Sequence, residues 1–184
     1  MNPIKIFYVF CLLLFVSSCE FNCSTGTDSK VKTKTVSSED KTALSDAIIK
    51  NDIELEANDV KIAEAYLMDE NREFLTENIA ALKEKIYLVI KADTGWVKEN
   101  GLSYLGASER ISTVAGKVVV DAPDIFKEYE TTGLPANDAR LISLSARITE
   151  ADPGLEDFVV QFRVWDKRGK GEVKGKYKFK IKAH

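Results

Sequence analysis

Histidine is almost absent from this 184-residue chain, and its single histidine, His184, is the last residue. Catalytic triads and histidine-bearing zinc sites need an imidazole that is held in place inside the fold. A terminal residue is usually mobile instead. The chain also lacks a glycine-rich loop between a strand and a helix, which could cradle a phosphate. These absences argue against an enzyme, and the residues nominate neither a metal nor a cofactor.

Cysteine is scarce as well, with three residues, Cys11, Cys19 and Cys23. All three lie near the start of the chain, so no disulfide can staple the remaining residues together. The stability of the folded part therefore has to come from a hydrophobic core.

Positive charge does not dominate the chain, which has 26 lysines and arginines against 29 acidic residues and a net charge of −3. Nucleic-acid-binding domains usually carry a basic excess or a basic stripe. The composition therefore predicts no nucleic-acid partner. One regular series of lysines exists, close to the C terminus, and is considered below.

Long hydrophobic runs are missing too. The longest, Ile6–Val16, is too short to cross a bilayer, which needs about 20 apolar residues. It follows Lys5 and is followed by two small residues, Ser17 and Ser18, before Cys19. A positive start, an apolar core of this length and small residues at the end are typical of a signal peptide.

The stretch Val16-Ser17-Ser18-Cys19 resembles the lipobox of bacterial lipoproteins. The resemblance implies cleavage before Cys19, acylation of that cysteine, for example with palmitate, and anchoring in the membrane of the cell envelope. Several acyl chains would hold firmly, because each buried CH₂ contributes about 0.8 kcal/mol. Glu20 stands where an aspartate often marks retention in the inner membrane, which favours the outer membrane. The alternative is an ordinary secretory signal peptide with Cys19 as a plain thiol.

Three parts of the chain follow from this interpretation. Residues 1–18 are the signal peptide, residues 19–42 a lipidated flexible tether, and residues 43–184 a single domain. The tether is rich in Ser, Thr and Lys, so it cannot bury enough apolar surface to offset its ordering entropy. At the start of the domain, a short helix over residues 43–49 would place Leu44 and Ile48 on one face.

The clearest strand pattern is at the C terminus, where apolar residues alternate with lysines over Val173–Lys182. The segment Phe158–Trp165 alternates in the same way, and the polar stretch Asp166–Gly171 with its two glycines predicts a hairpin between them. The lysine face has two interpretations. It is either an anion-binding stripe or a solvated edge that prevents sheet-to-sheet aggregation.

Further strands are predicted at Ile86–Ile90, Lys117–Val120 and Leu141–Thr149, with a short helical turn over Pro123–Tyr129. Val60–Leu82 fits either strands around a turn or a helical hairpin, and the choice stays open. Several strands at short spacing, separated by turns, predict an all-β fold. We expect an immunoglobulin-like or related two-layer β-sandwich of about seven to nine strands. No family resemblance is found within residues 43–184.

Aromatic residues supply the candidate binding residues, Trp165, Trp96 and Tyr104. An exposed ring can stack on a sugar or anchor a protein partner, and Trp165 lies on the outward face of its predicted strand. Several acids, Asp93, Asp121, Asp124 and Asp166, lie in or beside predicted loops. Their spacing matches no calcium-loop pattern, and turn formation explains them as well.

Three function hypotheses remain. The leading one is a non-enzymatic adaptor, held at the membrane by the lipid on Cys19, that binds a protein partner in the cell envelope and exposes an apolar surface. The second is a glycan-binding module that uses the aromatic rings as a platform. The third is a hydrolase of unknown substrate, which needs a cleft with two convergent acids.

Overall fold

Alternation of buried and exposed side chains, the period of a half-buried strand, runs through the long strands of this chain. The computed structural model describes residues 44–151 and 157–182. The proposed signal, Cys19, the tether and His184 lie outside the described residues. Among the described residues, no helix is long and apolar enough to cross a membrane.

The strands, in chain order, are β1 (Ile48–Ile49), β2 (Glu54–Asn58), β3 (Lys61–Met68), β4 (Ile79–Ala81), β5 (Lys85–Thr94), β6 (Leu102–Ser103), β7 (Leu105–Thr113), β8 (Val118–Ala122), β9 (Leu134–Pro135), β10 (Leu141–Arg147), β11 (Asp157–Asp166) and β12 (Glu172–Lys182). Two single-turn 3₁₀ helices, Lys127–Tyr129 and Asp138–Arg140, interrupt the long connection between β8 and β10.

The strands form two facing sheets. The four-stranded sheet has the order β1-β3-β5-β10, and the six-stranded sheet has the order β2-β12-β11-β7-β8, with β4 pairing in parallel with the end of β12. The remaining pair, β6 and β9, forms a small ladder of its own. The two sheets bury one shared hydrophobic core. This all-β, two-layer sandwich is the predicted architecture, and eight of its strands are five residues or longer.

The core lies between the inner faces of the sheets. On the six-stranded side, Phe158 and Phe179 are buried and stack with their ring centroids 5.6 Å apart. On the four-stranded side, Leu88 and Ile90 of β5 are completely buried. Since full burial of one such side chain contributes about 1.5–3 kcal/mol, this double layer is the main source of stability.

The ambiguous segment Val60–Leu82 is not a helical hairpin. Lys61–Met68 forms β3, a turn closes through the hydrogen bond from the Arg72 N–H to the Asp69 carbonyl (3.2 Å), and only Ile79–Ala81 is a strand in the remainder. The short helix expected over residues 43–49 is also wrong for the described residues 44–49. Ile48 and Ile49 instead pair in parallel with β3, as suits β-branched residues.

A reciprocal pair of asparagines fastens the connection between β3 and β5. Asn51 donates from Nδ2 to the Leu75 carbonyl (2.8 Å) and to Asn78 Oδ1 (3.0 Å), and accepts from the Leu67 N–H (2.9 Å). Asn78 donates from Nδ2 to the carbonyls of Asn51 (2.8 Å) and Lys178 (2.9 Å). Because Leu67 belongs to one sheet and Lys178 to the other, the pair links both layers at this edge.

The lysine-rich strand β12 is not an edge strand, which corrects one interpretation of the sequence. It lies between β2 and β11 in the six-stranded sheet, so its lysines cover an outer face. Lys174 pairs with Glu56 and Lys176 with Glu54, each at 3.0 Å. These surface ion pairs add little stability, but they set the charge of the face described next.

Candidate ligand-binding face

The outer face of the six-stranded sheet gathers a tryptophan and several polar side chains. Along β11 the outward residues are Gln161, Arg163 and Trp165, which alternate with buried residues. In the register with β7, Trp165 is opposite Gly106, Arg163 is opposite Ser108, and Gln161 is opposite Arg110. These pairs form a strip of roughly 14 Å, since a strand rises about 3.4 Å per residue. Below, this strip is called the β7–β11 face.

Trp165 is half-buried because its indole lies against the backbone of Gly106. A Cβ atom at position 106 would lie 2.2 Å from Cε2 and 2.3 Å from Cζ2 of the ring, so only glycine leaves room for it. The Arg163 guanidinium lies over the ring, 5.0 Å from its centroid. Arg163 also donates from Nε to Glu172 Oε2 (2.7 Å). The indole is therefore fixed between a glycine and an arginine that is itself held by an acid.

Beside the tryptophan, a shallow groove of about 360 Å³ runs across β11, β7 and the start of the loop after β8. Its polar lining residues are Ser108, Glu109, Arg110, Asp121, Gln161 and Arg163. Guanidinium groups donate hydrogen bonds, a carboxylate accepts them, and hydroxyl and amide groups do both. The groove can therefore match both the donor and the acceptor functions of a hydroxyl-rich ligand.

Arg110 and Asp121 are directly opposite each other in the β7–β8 register, yet they form no ion pair. Neither has a hydrogen-bond or ion-pair partner within residues 44–151 and 157–182. Both charged groups are thus available to a ligand in the groove.

Trp96 does not belong to this face. Its side chain is buried in the core, with 8% of its surface exposed, so the expectation of an exposed ring is wrong for this residue. Its Nε1 is buried, and no hydrogen-bond partner for it is found among the described residues. Trp96 is a core residue and cannot serve as a stacking platform.

Tyr104 lies close to the face but is half-buried. Its carbonyl accepts a hydrogen bond from the Lys167 N–H (2.8 Å), which continues the β7–β11 ladder past Trp165. One side of its ring is close to Gly133, where a Cβ would be 3.2 Å from the ring, and the Arg168 guanidinium lies 4.9 Å from the ring centroid. Of the three candidate aromatic residues, Trp165 alone lies beside the groove.

Three of the four loop acids, Asp93, Asp124 and Asp166, have structural partners. Asp166 accepts hydrogen bonds from the N–H groups of Val97 (2.6 Å), Arg168 (2.8 Å) and Gly169 (3.0 Å), which shapes the β11–β12 turn. Asp124 accepts from Lys167 Nζ (2.8 Å). In the described parts of the chain, no group of three or more potential metal-ligating side chains is found.

Asp124 is held in its charged form. Partial burial alone would raise the pKa of this carboxyl. The hydrogen bond and charge of Lys167, together with the backbone N–H groups of Ala107 and Phe126, outweigh burial and hold the pKa below its ordinary value. The Asp124–Lys167 pair, with both side chains mostly buried, therefore braces the loop end of the sandwich.

Two carboxylic acids among the described residues are buried, Asp166 in the β11–β12 turn and Glu109 of β7, which lies opposite Phe162. Only 4% of its surface is exposed, and burial raises the pKa of Glu109 to about 7. Burial, followed by the nearby Glu109 charge, raises the pKa of the Tyr177 hydroxyl well above its ordinary value. Glu109 Oε1 and the Tyr177 hydroxyl are both buried, and neither has a hydrogen-bond partner among the described residues.

A second and larger groove, of about 1100 Å³, lies between the segment 74–79 and β12. Phe74 stands at its side with 58% of its surface exposed, tilted against Tyr66 at a centroid distance of 4.7 Å and covered by the Lys50 ammonium at 4.9 Å. Its charged lining residues are four lysines and four acids, among which Lys176–Glu54 and Lys180–Asp157 are ion pairs. Unlike the groove across β7 and β11, this second groove has no arginine among its described lining residues.

Sequence analysis missed half of the β7–β11 face. The outward position of Arg163 and Gln161 follows from the alternation in β11, but β7 and its residues Ser108 and Arg110 were not expected. The signal was present in Leu105, Ala107, Ile111 and Thr113, which are all buried. Glu109 interrupts this apolar series at an inward position, so the pattern does not look like a strand.

Comparison with known proteins adds little. No protein-family model matches the chain, and no curated protein sequence matches it. Among solved structures, the crystal structure of the C-terminal domain of Wzt is similar with a TM-score of 0.46 and 9% sequence identity, covering 80% of this chain and 88% of that one. Neither the ligand nor the activity of this chain follows from that similarity.

Proposed function

We propose that this protein is a non-catalytic glycan-binding module of the bacterial cell envelope, and that the β7–β11 face holds the glycan. The observation that carries the proposal is the contact of Trp165 with Arg163, which lines a groove of hydrogen-bonding side chains. The part of the indole that Gly106 and Arg163 leave uncovered offers an apolar surface to the C–H groups of a sugar ring, and the groove offers partners to its hydroxyl groups.

The electrostatics of the face support binding better than catalysis. Hydrolysis of a glycosidic bond needs two carboxyl groups about 5–10 Å apart across the bond, one of them with a raised pKa. Asp121 and Glu109 both line the groove, but the Glu109 side chain, whose pKa is raised, is only 4% exposed, so Asp121 is the carboxyl group open to a ligand. A binding role, in contrast, needs only the aromatic and hydrogen-bonding side chains that the β7–β11 face contains.

The location of the module is part of the proposal. Cys19 would carry lipid, residues 19–42 would act as a tether, and the sandwich would reach glycans near the membrane surface, with the outer membrane favoured by Glu20. A flexible chain of this length spans roughly 25 Å on average. The tether would thus give the sandwich freedom to reorient toward a polymer.

The test is a binding survey of the full-length protein in detergent against soluble and insoluble envelope polysaccharides. We expect one class to bind, and Trp165→Ala to weaken that binding by tenfold or more, which corresponds to about 1.4 kcal/mol. Phe74→Ala is the matched control, because it removes an exposed aromatic ring outside the β7–β11 face. Binding that survives Trp165→Ala but not Phe74→Ala would refute the assignment of this face.

A protein-binding adaptor is the second candidate, and one observation favours it. Val118 and Val119 of the edge strand β8 are each 39% exposed, and Val114 in the preceding turn is 60% exposed. Exposed apolar side chains on a sheet edge suit a protein partner. Crosslinking in cells, followed by capture, tests this hypothesis. A specific partner that is lost in a Val118→Ser, Val119→Ser variant but kept in Trp165→Ala would favour the adaptor.

A further inference from the structure

The β7–β11 face concentrates positive charge at its centre. Arg163 is directly opposite Lys174 on β12, while Gln161 is opposite both Lys176 and Arg110. Like charges directly opposite each other in a sheet are destabilising. The acids that compensate them, Glu54, Glu56, Glu172 and Asp121, lie around the margin of this group.

Most of these cations are already paired with an acid. Arg163 is held by Glu172, Lys174 by Glu56 and Lys176 by Glu54. Arg110 is the exception, since it has no ion pair within the described residues. An exposed guanidinium inside a polar groove has its full set of five N–H donors to offer.

Among the described residues, Arg110 is the unpaired guanidinium of the groove, because Arg163 lies over Trp165 and is held there by Glu172. Arg163 is opposite Ser108, and Arg110 is two residues further along β7, so the pair lies on a diagonal of the sheet. Diagonal neighbours are about 7–8 Å apart at Cα, within reach of long side chains on one face. Guanidinium groups bind carboxylates and sulfates through parallel hydrogen bonds, and such charge-assisted bonds are the strong ones.

We infer that the glycan is anionic and that its charged group, a carboxylate or a sulfate, binds Arg110, while its sugar ring lies along the groove toward Arg163 and Trp165. This inference rests on the proposed function. Gln161 and Ser108 lie between the two arginines in the register and bind the neighbouring hydroxyl groups. Asp121, opposite Arg110, weakens binding of an anion because its own negative charge repels the ligand.

The experiment compares charged and uncharged forms of the same sugars with the full-length protein in detergent. The probes are oligogalacturonides with their carboxyl-reduced counterparts, and sulfated galactan with neutral galactan. We expect a charged form to bind roughly tenfold or more tightly than its neutral counterpart, and Arg110→Gln to abolish the difference. Lys178→Gln removes a cation of the same outer face that does not line this groove, and should leave affinity within about twofold.

Asp121→Asn gives an effect of opposite sign for the two ligand types. It should tighten binding of the charged glycan by a fewfold, because a repelling negative charge is removed, whereas a neutral ligand would lose a strong acceptor and bind more weakly. Equal affinity for charged and neutral forms, with dependence on Trp165 retained, overturns this inference and leaves the proposed function standing. Absence of binding to every glycan, charged or neutral, overturns the proposed function and the inference with it.

Discussion

The indole of Trp165 fills the space that a side chain at position 106 would need. The closest ring atoms are 2.2 and 2.3 Å from where a Cβ at position 106 would be, far inside any van der Waals contact. The ring is rigid and Gly106 belongs to the backbone of a central strand, so neither partner can yield without moving the other. The glycine on β7 thus determines how the tryptophan on β11 is presented.

Replacing this glycine should damage both stability and ligand binding. We expect Gly106→Ala to lower the free energy of unfolding by about 1–3 kcal/mol, the usual cost of overpacking, and to weaken glycan binding as Trp165→Ala does. Urea unfolding followed by fluorescence measures the first effect. In Trp165→Ala, the added methyl group should cost much less, because the clash is gone. Equal costs in both backgrounds would contradict the close contact.

The buried Glu109 should make the protein less stable as pH rises. Its pKa is about 7 in the folded protein against an ordinary value of 4.5, so between these values the folded state binds the proton more tightly than the unfolded state. The free energy of unfolding should therefore fall between about pH 4.5 and pH 7, by up to about 3 kcal/mol. Below pH 4.5 the contribution of Glu109 is fully present.

The isosteric variant Glu109→Gln isolates this effect. It should lack the decline between pH 4.5 and 7 and should be more stable than the parent above pH 7. The measurement is the difference between the urea-unfolding profiles of the two proteins across this range. A difference that does not change with pH would mean that Glu109 is not buried as a protonated acid.

The asparagine pair at the sheet edge should contribute measurably to stability. Asn78→Ala removes the hydrogen bonds to the carbonyls of Asn51 and Lys178 and leaves partly buried groups unpaired. We expect a loss of about 1–3 kcal/mol in the free energy of unfolding. Asn71→Ala is the control, because Asn71 bonds only to Asp69 within an exposed turn. Similar losses in the two variants would contradict the linking role of Asn78.

Lipidation is tested independently of the fold. If Cys19 carries acyl chains, the protein should incorporate labelled palmitate and partition into the membrane fraction of cells. Cys19→Ala should lose the label. The variant, left unprocessed or secreted, should no longer fractionate with the membranes as the parent does. A parent protein that takes up no label would support the ordinary secretory signal instead.

Much of the fold follows from the sequence because most strands carry a simple alternation. The hairpin of β11 and β12 is an example, since Phe158, Val160, Phe162 and Val164 all point inward as their spacing predicts. The alternation does not predict the structure where a buried polar residue or a side-chain hydrogen bond determines the course of the chain. Glu109 breaks the alternation of β7, and in the segment 74–82 hydrogen bonds of Asn51 and Asn78 fix the chain where only three residues form a strand.

The candidate site was less predictable than the fold. The outward position of Trp165 follows from its place in β11, but the groove depends on the register between β7 and β11, which pairs residues more than 50 positions apart. Trp96 shows the opposite error. It follows the end of strand β5 at Thr94, where the sequence predicts a turn, and its ring packs inward, near Gly171 of the β11–β12 turn and beside Val60.

The most direct test of the glycan-binding face uses the two tryptophans as reporters in the same molecule. Each indole N–H gives its own NMR signal, one from Trp165 on the face and one from Trp96 in the core. Addition of the oligosaccharide that binds best in the survey should shift the Trp165 indole and Gln161 amide signals and leave the Trp96 signal unchanged. Saturable shifts confined to Phe74 and the groove beside β12, with Trp165 unaffected, would contradict the account.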